Sequence, residues 1–562
     1  MIKRLHLGNF KAFADTQEAP LRPLTLLYGP NSAGKSSLIH SLALAHHGLL
    51  TGDLDVQRTE IGGESIDLGG FRQYVHCRDA TRRVEWGLDL STAVAKDQLA
   101  ELLAPVGSVS LRLSIGLGFI GDQQTLFGEL AREQGRVVGV ESCAILADDN
   151  PLLSMSARRD GRMRIDHLDQ EHPIFRRFVR GLIESATYYQ KVGDAEIGAA
   201  ETAIDDLLPT FDVQRRGLFP LVLLKGSAQE DLAQALISPA ASGDRQADVR
   251  RTVQLAAPRM LRDLINGIAD AAASALQNFH YLGPLRSYPP RHLAFSPHHD
   301  PNWRAGGGAA WDVLRRDDDV RAAVNRWLSS PERLSTPYEV VVRDLLAFDQ
   351  LDEPLRAAIE AIQENDGLGM EADYDDEPEP TGAYPIIKDV DAELENFKTV
   401  LREADVDRFS EIVLMDRRSN TVVSHRDVGI GVSQVLPVLV NAYGRREKTV
   451  AIEQPEIHLH PALQSELADV FIESALGERR NTFLLETHSE HLLLRVMRRM
   501  RETFESTLPE GCRAVRPEDV MVLFVEPDGP RSIVREMPLN ERGELVKAWP
   551  GGFFEEGLRE VF

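Results

Sequence analysis

Gly29, Gly34, Lys35 and Ser36 stand at the spacing G-x-x-x-x-G-K-S inside LYGPNSAGKSSLIHSL (Leu27–Leu42). A loop of this kind holds negative charge. Its backbone N–H groups and the start of the following helix face the anion, and the glycines let the main chain come close. The lysine reaches terminal phosphates, and the serine hydroxyl suits Mg²⁺. The residues expected to line the cradle are Gly29, Pro30, Asn31, Ser32, Ala33, Gly34, Lys35, Ser36 and Ser37. ATP with Mg²⁺ is the expected cofactor pair.

A phosphate loop hydrolyses nothing alone. A metal-facing acid must stand at the end of a neighbouring strand, and a water must be oriented. KTVAIEQPEIHLHP (Lys448–Pro461) offers Glu453 at the carboxyl end of a buried-strand run, followed by Gln454 and Glu456. About thirty residues on, NTFLLETHSEHLLL repeats the design and puts His488 just past its strand, where it can meet a phosphate or the water. Between loop and acid lies RDVGIGVSQVLPVLVNA (Arg426–Ala442). Gly429, Gly431, Ser433 and Gln434 there precede an apolar helix and make a second anion cradle. One cradle serves one triphosphate, so the second makes sense if it closes on the nucleotide of another subunit.

These residues need strands that end together. LTLLY (Leu24–Tyr28), TVAI and TFLL are short continuous apolar runs, the mark of strands buried on both faces. Lys35 and Glu453 are 418 positions apart, far more than a compact core needs, so the chain must leave and return. The expected organisation has residues 1–80 as the first half of the nucleotide core. An antiparallel β lobe covers 81–165. A mainly helical insertion spans 166–385, with a second helical stretch over about Trp311–Gln363 and an acidic Gly/Pro-rich loop at 365–385. Residues 386–510 are the second half of the core, and 511–562 a small C-terminal module. No heptads run through the insertion, so a compact lid is expected rather than a coiled-coil arm.

The order lysine loop, glycine/serine element, EQPEIHLHP and ETHSEH resembles ABC-type ATPase heads. It is most similar to AAA-labelled ATPases of the overcoming-lysogenisation-defect kind and to RecF- and SMC-like heads. YLGPLR, RDVGIGVSQVLP, ETHSEHLLLR and WPGGFFEE look like one bacterial subgroup. The resemblance covers roughly 1–80 and 278–562. It implies an α/β P-loop head in which Lys35 and Ser36 are the Walker A pair and Glu453 the Walker B acid. Ser433 with its glycines would be the signature element acting in trans, and His488 the switch histidine. Gln73 in DLGGFRQYVH would be the Q-loop glutamine near the metal. The resemblance also implies a homodimer or higher homo-oligomer, an effector protein partner, DNA as a candidate ligand, and a setting in antiphage defence. The chain departs from the pattern at Gln454, where a water-polarising glutamate is usual. An amide orients water but takes no proton, so slow turnover is expected, with Glu456 or His488 as stand-ins.

Other readings compete. His458, His460, His488 and His491 have spacings that could ligate zinc. Glu526 and Asp528 suggest a nuclease site, but only about 35 residues follow, too few for such a domain. Arg495, Arg498, Arg499 and Arg501 on one helix, and Arg176, Arg177 and Arg180 in the insertion, could meet nucleic acid or be a solvated face. Arg286 in YLGPLR could reach the site or lock the lid. A net charge of −24 argues against unspecific coating of DNA or anionic membrane. Three scattered cysteines and no secretory leader point to the cytoplasm. No stretch approaches the ~18 uninterrupted apolar residues of a membrane span.

Overall fold

The computed structural model describes residues 2–94, 97–118, 137–158, 162–187, 193–208, 211, 213–223, 244–286, 302–331, 333–346, 356, 395, 397–399, 408–423 and 430–550. The acidic stretch 365–385 and Gly429 lie outside them.

The core is a six-stranded sheet. Its strands are β1 (Leu24–Tyr28), β2 (Phe279–Leu282), β3 (Thr449–Glu453), β4 (Thr482–Glu486), β5 (Val520–Asp528) and β6 (Arg531–Glu536). They lie in the order β2-β3-β4-β1-β5-β6, parallel throughout except for the β5–β6 hairpin. Both faces are covered, which explains the unbroken apolar runs. Val450, Ile452, Phe483 and Leu485 enter one core, while Ala451 and Leu484 face the other. Four helices serve this sheet: α1 (Lys35–Thr51), α2 (Ile430–Tyr443), α3 (Pro461–Leu476) and α4 (Glu490–Phe504).

Beside it lies a nine-stranded antiparallel sheet. Its order runs from Phe219–Val222 through Val213–Arg216, Met163–Leu168, Asn150–Ala157, Val137–Ala147, Ser108–Gly118 and Val84–Ser91 to Ile2–Gly8 and Gln17–Pro20. The lobe thus draws in the first two strands of the chain, because Ile2–Gly8 pairs along Val84–Ser91, and it extends past residue 165 to Val222.

The insertion is helical over Pro173–Thr187, Asp194–Leu207 and Arg245–Gln277. The last of these is capped by Asp244, whose carboxylate accepts from the Gln246 N–H at 3.0 Å, and it delivers the chain directly to β2. The second helical stretch is shorter than its pattern suggested. Helices Ala309–Arg316 and Asp318–Ser329 stop before Pro331, and Tyr338–Leu346 is a strand in a three-stranded sheet with Arg408–Asp416 and Thr421–Val423. The residue before a proline is pushed toward extended backbone, and Val340–Val342 is a β-branched run. Among the described residues no helix is long and apolar enough to cross a membrane.

Candidate functional site: a phosphate loop facing three carboxylates

The sheet's carboxyl ends assemble the site, as expected for a parallel α/β core. Glu453 stands level with Glu486 on the next strand, and Glu486 pairs with Leu27, just before the loop. Two glycine positions are required by geometry. A Cβ on Gly29, at φ 143°, would lie 2.1 Å from the Val525 carbonyl oxygen. Gly34 starts α1 from the left-handed region at φ 95°, where a Cβ would meet that of Ala12 at 2.7 Å. Pro30, Asn31 and Ser32 are exposed, and Ala33 and Ser37 are buried.

Lys35 is buried. Its Nζ donates to the carbonyls of Gly29 (3.1 Å) and Pro30 (2.9 Å) and lies 3.9 Å from Glu486 Oε1. Burial lowers its pKa against the opposing pull of Glu486, Glu453 and Glu456. Ser36 Oγ donates to Glu486 Oε2 at 2.7 Å. The carboxylate on Ser36 is therefore Glu486, a residue that sequence reasoning passed over for His488 in the same phrase.

Glu453 is turned one helical turn along α1. Its Oε1 accepts from the Tyr281 hydroxyl (2.9 Å) and from His40 Nε2 (3.2 Å). Lys11 Nζ in turn donates to His40 Nδ1 at 2.8 Å. Burial brings Lys11 down to about 8, partly offset by Glu453, and lowers His40. Glu486 is pushed up to about 7, first by burial and then by Glu453, with Ser36 and Lys35 pulling the other way.

Glu456 is buried, and its Oε1 accepts the His488 backbone N–H at 2.8 Å. Its Oε2 has no hydrogen-bond partner among the described residues. Burial raises its pKa. The His488 ring is half-buried and its pKa is lowered, first by burial and then by the charge on Lys35. Gln454 sits at positive φ (47°), with its N–H donating to the Glu486 carbonyl at 2.7 Å.

Gln73 is exposed and shares an open depression with Lys11, Asp67 and Arg78. No hydrogen bond joins it to Ser36 or Glu453 among the described residues. Gly431, in the first turn of α2, lies against the backbone of His458. Ser433 and Gln434 are buried. Gln434 Nε2 donates to the Arg286 carbonyl (3.1 Å), while Arg286 donates back to the carbonyls of Gln434 (3.2 Å), Glu453 (3.2 Å) and Gln454 (2.9 Å). Arg286 thus bolts the start of α2 to the turn after β3.

Several competing readings find other employment. His460 accepts the Ala462 N–H and caps α3, and the described residues hold no His/Cys/Asp/Glu cluster suited to a metal. Glu526 and Asp528 are paired with Arg535 and Arg531 on an exposed hairpin. Arg495 and Arg499 are neutralised by Asp469, Glu466 and Glu502.

Residues 281–495 match a family described as "AAA domain, putative AbiEii toxin, Type IV TA system", and residues 4–102 match a second described as "AAA domain". Both matches are AAA domains. They carry every element of the loop and carboxylate site, and with that geometry they support a nucleotide-binding ATPase. A comparison with curated proteins returns no match. Among solved structures, an Smc head bound to the C-terminal winged-helix domain of ScpA is 10% identical, covering 96% of this chain and 98% of that one, at TM-score 0.34. The Smc head with extended coiled coil from Pyrococcus furiosus is 10% identical over 100% and 98%, at 0.33. The SMC head domain from Thermotoga maritima is 7% identical over 96% and 99%, at 0.32. At these scores the likeness is loose.

The residues present fit Mg²⁺–ATP. The glycines allow close approach, a buried lysine and a serine hydroxyl converge, and the buried Glu456 Oε2 is left for a further donor.

Proposed function

We propose that the chain binds ATP with Mg²⁺, hydrolyses it slowly, and works as a nucleotide-driven dimeric switch. The carrying observation is the convergence of Lys35 and Ser36 on Glu486, which stands level with Glu453 at the end of the adjacent strand. Lys35, Ser36, Glu453 and Glu486 would hold the magnesium–nucleotide. When bound, the metal neutralises charge developing on the transferred phosphoryl group. The protein's share is positioning. Burial in a rigid sheet end fixes Lys35, and Arg286 fixes the turn that carries Gln454. Gln454 orients water without accepting its proton, and Glu456 is the nearby carboxylate with an open oxygen. Ser433 at the start of α2 would close on the partner's nucleotide.

The resemblance to overcoming-lysogenisation-defect ATPases, together with a matched family described by a toxin–antitoxin system, supports a role in bacterial defence beside an effector protein. A second reading, a nucleotide sensor with little hydrolysis, is favoured by Gln454 alone. A DNA-maintenance role draws less support, since Arg495 and Arg499 are already paired.

Calorimetric titration with ATP and Mg²⁺, with light scattering for mass, tests the proposal. Wild type is expected to bind and double its mass, and Lys35→Ala to lose at least about a hundredfold in affinity, as loss of a buried charged contact implies. No affinity in the wild type, or full affinity in Lys35→Ala, overturns it.

A further inference from the structure

At the free edge of the parallel sheet, beside β2, lies a cavity of about 320 Å³. Its lining includes His46 from α1, His280 from β2, Arg304, Asn441 from α2, and Arg445 just past α2. Lys35 is eleven residues before His46, or about 16 Å along the helix, so the cavity lies beyond the phosphate loop, with Tyr281, the donor to Glu453, forming part of the wall between them.

The charges here are one-sided. Arg445 is half-buried. Its Nε donates to Asn441 Oδ1 at 3.1 Å and its Nη1 lies 3.3 Å from His280 Nε2. No carboxylate pairs with Arg445 among the described residues. Burial brings Arg445 down to about 10, with Arg304 adding repulsion. Burial brings His280 to about 3, reinforced by Arg445 and Lys448. Glu60 lies 3.2 Å from Arg304, in a pair with both side chains mostly exposed. Such pairs hold weakly, so Arg304 can turn to a stronger partner. A half-buried cation without a counter-charge, as at Arg445, is costly and marks a place where an anion completes the set.

We propose that this cavity is a second anion site, taking inorganic phosphate or a small phosphate monoester. Arg445 and Arg304 supply the fork-shaped donors, with Asn441 and His280 beside them. The volume is at the low end for ligand pockets, which limits the ester to about the size of a nucleoside monophosphate. An occupant would touch α1 and α2 at the ends remote from Lys35 and Ser433, and so bear on both nucleotide elements at once.

Full-length Lys35→Ala protein takes the phosphate loop out of the measurement. Calorimetry with inorganic phosphate and, separately, with AMP then reads the cavity. Binding in Lys35→Ala that weakens at least about tenfold on adding Arg445→Met, and several-fold on adding Arg304→Ala, bears the proposal out, in line with loss of a bidentate charged contact. AMP binding tighter than phosphate would identify an ester, and equal binding the inorganic anion. If Arg445→Met melts early, the exposed Arg304→Ala decides the question. No binding to Lys35→Ala up to about 10 mM of either probe, or affinity unchanged by both substitutions, overturns it.

Discussion

Two buried carboxylates, one in each sheet, have opposite fates. Asp89 in the antiparallel lobe accepts from His6 Nε2 (3.0 Å), Ser110 Oγ (2.5 Å) and Arg112 Nη1 (2.7 Å). Burial would raise its pKa, but the bonds from His6 and Ser110 and the nearby charges overcome that and hold it well below the usual range. Glu486 in the parallel sheet has one hydroxyl donor and one distant lysine, and it faces Glu453. Similar burial therefore gives a settled anion in one place and a carboxyl poised near 7 in the other. A carboxylate whose bonds are complete builds structure. One crowded by its own kind, at the end of a strand, is free to take a new partner.

The comparison can be broken most forcefully at Asp89. Asp89→Ala leaves His6, Ser110 and Arg112 without their acceptor, and is expected to destabilise the protein by about 3–5 kcal/mol in denaturant unfolding while sparing nucleotide affinity in what remains folded. Because the folded pKa of Asp89 is depressed, its contribution is present above the unfolded value of 3.8 and lost as pH falls below it.

Glu486→Gln should act in the other direction. The folded pKa of Glu486 is raised to about 7 from 4.5, so its stabilising share is complete below 4.5 and lost as pH rises through 7. The variant should melt higher than wild type, by roughly 1–3 kcal/mol at pH 8, with the gap closing near pH 4. A gap independent of pH would remove the contrast between the two carboxylates.

Gln454→Glu adds a proton acceptor to the oriented turn and should raise steady-state phosphate release by at least about tenfold. The smallest effect is expected for Arg498→Ala, which removes a half-exposed pair with Glu502 one turn along α4, at a cost of a few tenths of a kcal/mol in thermal unfolding.

The sheet's strands were legible because double-sided burial writes itself as unbroken apolar runs, and the loop because its glycines and lysine have few other uses. Glu486 was not legible. Its importance comes from β4 lying against β1, a neighbour more than 450 positions away, and no local pattern reports that pairing. The same cause hid the membership of Ile2–Gly8 in the antiparallel lobe, since its partner Val84–Ser91 lies far along the chain. Tyr338–Leu346 was misread as helix although Pro331, Pro337 and three successive valines spoke for a strand. Gln434 looked like a ligand to phosphate from its glycine-rich setting, and the structure gives its amide to Arg286.

Arg286 ties one guanidinium to carbonyls of two segments, Gln434 and Glu453–Gln454, that lie 148 to 168 positions from it in sequence. Neither segment can shift without straining or shedding those bonds, so a nudge at the turn bearing Gln454 is felt at Ser433. The arrangement works like a pawl on a ratchet wheel: while it is seated, the start of α2 and the turn after β3 move as one piece.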